Sequence, residues 1–78
     1  MTTTTHADLR SRSDALARDV ASFAALAMLD DDAVTRTMLR SYLIQFLDAD
    51  ADYCSALGLD ALAAKQRSRA LALKEVKS

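Results

Sequence analysis

The chain has no proline and only one glycine, Gly58, among its 78 residues. An all-β fold needs turn residues every few positions, so this composition excludes it and leaves long helices joined by short connections. There is no tryptophan, and aromatics make up 5% of a chain that is 51% apolar. The core must therefore be built from alanine, leucine and methionine, with little buried area per residue. Chains of this size and make-up often gain stability by self-association or by docking on a partner.

Other scarcities narrow the function. A single cysteine, Cys54, cannot form an internal disulfide and suits a reducing, cytoplasmic setting. The single histidine, His6, has no cysteine or carboxylate cluster at ligand spacing, so neither a metal nor another cofactor is expected. There is no glycine-rich phosphate loop and no base for Cys54, so no catalytic site is expected. The longest nearly unbroken apolar run, Val20 to Leu29, is interrupted only by Ser22 and is too short to span a bilayer. The first twenty residues lack the apolar stretch of a secretory signal. The net charge of −1 gives no whole-molecule attraction to nucleic acid or to an anionic membrane.

What is present is helical periodicity. Between Val34 and Leu57, the residues Leu39, Leu43, Phe46, Tyr53 and Leu57 recur at the spacing of one helix face. The spacing predicts an all-α fold: a long antiparallel hairpin plus a shorter C-terminal helix, forming a three-helix bundle. Residues 1–5 are expected to be a flexible tail and 6–78 a single helical domain. Thr5-x-x-Asp8 has the spacing of a capping box, opening a first helix over about 6–29. Asp31 or Asp32 is the expected N-cap of a second helix over about 33–57. Gly58 stops it in a left-handed conformation, with Leu59 packing back. Asp60 is the expected N-cap of a third helix over about 61–76. The connections are a few residues long, so consecutive helices must be antiparallel. The expected core is Leu16, Val20, Phe23, Leu39, Leu43, Phe46, Tyr53, Leu57, Leu62 and Leu73.

Charge is unevenly spread. Residues 30–60 hold seven Asp and two Arg, while residues 61–78 hold five Lys or Arg and one Glu. The third helix is therefore expected beside the second. On a helical wheel Asp50 falls within the apolar face of the second helix, and Arg69 within that of the third. A charge in a seam is costly unless paired. An Asp50–Arg69 contact is expected, fixing the register of the hairpin. The other reading is that the second helix breaks within Asp48–Asp52, leaving Asp50 or Asp52 as a solvated cap.

Asp48, Asp50 and Asp52 also match the first three ligand positions of a calcium-binding loop. Tyr53 stands where that loop needs glycine and Leu59 where it needs glutamate, so an acidic helix stretch is the better reading.

The segment from Tyr53 to Leu71, with a helix, a glycine turn and then a basic helix, resembles a helix-turn-helix. Leu57-Gly58-Leu59 followed by Arg67, Arg69, Ala70 and Leu71 loosely resembles the DNA-reading end of sigma-factor-type regulators. Ala64 and Ser68 depart from that pattern where larger apolar residues are usual. The resemblance implies DNA recognition through helix 61–76.

The reading that fits more of the chain is a non-catalytic protein–protein interaction module, acting as an adaptor, chaperone-like or inhibitor subunit. Leu26, Leu29, Met38 and Ile44 are large apolar residues off the main internal faces and are the candidate partner interface. The partner is expected to be a protein, either a second copy or a larger complex. Nucleic acid and membrane are not expected as partners.

Overall fold

The computed structural model describes residues 5–75. Three helices follow one another: α1 (His6–Leu29), α2 (Ala33–Ala56) and α3 (Asp60–Lys74). The expected tail before Thr5 and the expected helical residue Val76 lie outside the described residues.

Each boundary has a local chemical cause. The Thr5 hydroxyl accepts from the Asp8 amide at 3.1 Å, and the Asp8 carboxylate accepts from the Thr5 amide at 3.2 Å, closing the capping box that opens α1. At the start of α2 the Asp32 carboxylate accepts from the Thr35 amide at 2.7 Å. That hydrogen bond holds the Asp32 carboxyl below its usual value. Three residues, Asp30 to Asp32, join the two helices and force them antiparallel.

The α2–α3 junction is a Schellman closure. The Leu59 amide donates to the Cys54 carbonyl at 2.8 Å and the Gly58 amide to the Ser55 carbonyl at 3.0 Å. Gly58 takes φ +82, as its place after the last turn requires. This closure shifts the start of α3 one residue earlier than expected. Leu59, not Asp60, is the N-cap, with no side-chain cap, because its carbonyl already accepts from the Ala63 amide. Asp60 becomes a first-turn acid, still well placed against the helix dipole.

α2 packs on α1 and on α3, while α1 and α3 do not pack on each other. The resulting body is long and thin, 40 × 22 × 21 Å. Its fully buried apolar residues are Leu47, Ala49, Ala51, Cys54, Ala63 and Ala70. Ala51, Cys54 and Ala63 form one cluster where small side chains let α2 and α3 approach closely. Of the expected core, Leu16, Val20, Phe23, Leu39, Leu43, Phe46, Tyr53 and Leu73 are half-buried along the seams. Leu57 and Leu62 are exposed, which corrects their assignment. A seam between two helices is closest along its axis, so alanines occupy the axis and large residues lie at its margins. Phe23 and Tyr42 stack across the α1–α2 seam, ring centres 5.1 Å apart.

Acidic α2 and basic α3 lie side by side, as their charges suggest. Lys74 pairs with Asp48 at 3.3 Å and Arg67 with Asp52 at 3.4 Å. These pairs are about half exposed, and each contributes about 0–1 kcal/mol. α3 has 15 residues against 24 in α2. At the helical rise it leaves roughly 14 Å of α2 without an α3 neighbour at the Ala33 end.

A Cβ at Gly58 would meet nothing within 4 Å. Gly58→Ala should therefore cost only the left-handed backbone penalty, about 1–2 kcal/mol. A lower urea midpoint with an unchanged slope is the expected result.

Candidate functional site: a polar node and an apolar hairpin tip

Asp50 lies on the part of α2 that faces both neighbours. Its Oδ2 accepts from Gln66 Nε2 of α3 at 2.8 Å, and its Oδ1 accepts from Ser13 Oγ of α1 at 3.4 Å. Cys54 Sγ, one turn along α2, lies 3.9 Å from Oδ2. Ser13 and Gln66 are both buried, and Asp50 is half-buried. Gln66 Oε1 in turn accepts from Arg69 Nη1 at 2.9 Å.

The expected direct contact between Asp50 and Arg69 is thus replaced by a relay through Gln66. Gln66 sits one turn nearer the Gly58 junction than Arg69, level with the carboxylate. A neutral amide can enter the seam at a smaller desolvation cost than a guanidinium. Arg69 stays exposed and reaches in only as far as the amide oxygen. Gln66 is polar at a seam position, and that was the available signal for its role.

The same node sets the chemistry of Cys54. Burial, and then the nearby Asp50 carboxylate, push the thiol above its usual value. A thiol held protonated in this way is a poor nucleophile. Asp48, Asp50 and Asp52 all lie within uninterrupted α2, so the expected alternative of a helix break is not what forms. The three carboxylates bond respectively to Lys74, to Gln66 and Ser13, and to Arg67. At about 100° per residue, Asp48 and Asp52 share one face of α2 a turn apart while Asp50 points to another, so the three carboxylates do not converge as those of a calcium loop would.

Of the candidate interface residues, Leu26, Leu29 and Met38 are exposed. Ile44 is half-buried and is corrected out of the exposed set, because it lies along the part of α2 that has neighbours. Two residues at the α1–α2 turn were missed. Met28 is 89% and Val34 73% exposed, beside Leu29 at 86%. Periodicity could not single them out, since nearly every position from Val20 to Leu29 is apolar and Val34 lies in the first turn of α2. Leu57, Leu59 and Leu62 form a second, less exposed group at the opposite end of the molecule. Among the described residues, no helix is long and apolar enough to cross a membrane.

The node yields two measurable expectations. In double-mutant cycles, Asp50→Ala should couple to Gln66→Ala by about 1 kcal/mol or more and to Arg69→Ala by less than about 0.5 kcal/mol. Raised in the fold, the Cys54 thiol leaves stability intact below the unfolded thiol value. Stability is then lost as pH rises, because the unfolded chain ionises first. Urea titrations in mildly and strongly alkaline buffer should show a decline that Cys54→Ala reduces.

No protein-family model, no curated protein and no solved structure matches this chain.

Proposed function

We propose that this chain is a non-catalytic helical protein–protein interaction module. It is an adaptor, chaperone-like or inhibitor subunit that meets its partner through the apolar end of the α1–α2 hairpin. It works in the cytoplasm, as a homo-oligomer or as a subunit of a larger complex.

The observation that carries this reading is the exposure of Met28, Leu29 and Val34 around one turn, at 89%, 86% and 73%. Leu26 and Met38 extend the same end. Isolated surface leucines are ordinary, but large apolar residues grouped around one turn mark an interaction surface. The Asp30–Asp32 run beside them gives the patch a polar rim, the usual anatomy of an interface.

The alternative, DNA binding through α3, has less support. Arg67 and Lys74 are paired with Asp52 and Asp48. α3 also runs antiparallel along α2, whereas a helix-turn-helix crosses at about 90–120°.

A photo-crosslinking residue at position 29, expressed in the native host, should give a discrete adduct. One at Arg12, exposed on the far half of α1, should not. No adduct from position 29, or equal labelling from both, would remove this reading. The adduct mass also separates self-association, at twice 8.5 kDa, from a different partner. Leu29→Lys combined with Val34→Lys should abolish the adduct from a neighbouring position while the unfolding free energy from urea titration stays within about 0.5 kcal/mol of the parent.

A further inference from the structure

A second surface lies between α2 and α3, away from the hairpin tip. Two adjoining hollows of about 490 and 280 Å³ share Leu43 and Leu73. Their floor continues through Leu39 on one side and Leu47 on the other. Arg36 and Arg40 border one hollow and Arg69 the other. We propose that this groove receives an amphipathic helix of a partner protein whose apolar stripe is flanked by aspartate or glutamate.

The shape supports a helix. Leu39 to Leu47 spans about 12 Å of α2, enough for two to three turns of a docked helix with apolar anchors at i, i+4 and i+7. The groove runs between α2 and the last turns of α3, and among the described residues the α2 face near Leu39 extends past the end of α3 at Lys74. Leu39, Leu43 and Leu73 are only half-buried, and a docked stripe would complete their burial.

The charge selects the partner. Arg36 and Arg69 are exposed. Arg36 spends one guanidinium nitrogen on Asp31, and Arg69 one on Gln66. A guanidinium has five N–H donors, so both retain donors for carboxylates on an incoming helix. Pairing this face with itself about a two-fold axis would bring the arginines of both copies to one interface, which disfavours a second copy. The apolar strip is narrow, Leu39 to Leu47 beside Leu73 with arginines at its edges, so the stripe of one helix matches it better than a membrane surface does. This inference goes beyond the hairpin-tip reading and does not depend on it.

The test uses the full chain and two fluorescein-labelled helical peptides, followed by fluorescence anisotropy. Both carry leucine at i, i+4 and i+7; one has glutamate at the flanking positions, the other lysine. The glutamate peptide should bind at least roughly tenfold more tightly, and added salt should weaken it. Arg36→Glu with Arg69→Glu should reverse the preference toward the lysine peptide, with helicity by circular dichroism unchanged. Leu43→Asp should abolish binding of both peptides. Leu29→Lys with Val34→Lys should leave peptide affinity unchanged, which separates this groove from the hairpin tip. Equal binding of the two peptides, no binding of either, or a preference that the charge reversal does not move would overturn the proposal. So would phosphatidylglycerol vesicles that displace the glutamate peptide, or loss of peptide binding in the Leu29/Val34 variant.

Discussion

A carboxylate halfway along α2 needs donors, and the alignment of the neighbouring helices supplies two neutral ones. Asp50 takes a hydroxyl from α1 and an amide from α3. Sliding α3 by one turn would set Ala63 or Arg69 level with the carboxylate in place of Gln66, and sliding α1 would set Arg10 or Ala17 there in place of Ser13, giving either no donor or a guanidinium that costs more to desolvate. The apolar contacts are less selective. At the axis of the seams they are made mostly by alanines, and one alanine packs in a seam much like another. In this chain burial makes association favourable, and the polar node specifies which association.

The three-helix architecture was legible because its signals are local. Thr5 with Asp8, Asp32 with Thr35, and Gly58 each act within a few residues, and each does what its chemistry predicts. The antiparallel order then followed from short connections. The pairing of Asp50 with Arg69 was less well read. A wheel shows that both lie near a seam, but it cannot weigh a hydrated guanidinium against a neutral amide one turn earlier. The core was misjudged for a related reason. Counting apolar residues favours Phe46, Leu57 and Leu62, whereas close helix contact favours Ala51, Ala63 and Ala70. The exposure of Met28 and Val34 depends on which way the residues at the hairpin turn point, and the almost continuous apolar run before the turn does not carry that.

The unequal helix lengths divide α2 into a covered and an uncovered part. A 15-residue helix cannot cover a 24-residue one. The uncovered part of α2 holds Leu39 and Leu43, which are half-buried, and the exposed Arg36. The covered part is where the acids are matched by Lys74, Gln66 and Arg67. Internal stability and available surface are thus divided between the two ends of one helix.

α3 packs on α2 and not on α1, so it can leave without parting the first two helices. Its release would break the Gln66 bond and expose Ala51, but would leave the Phe23–Tyr42 stack and the Ser13 bond in place. Such sub-global opening has its own free energy, smaller than that of whole-chain unfolding. The amides of α3 would then exchange with solvent ahead of those at the centre of the α1–α2 seam. The Gly58 junction would act as the hinge.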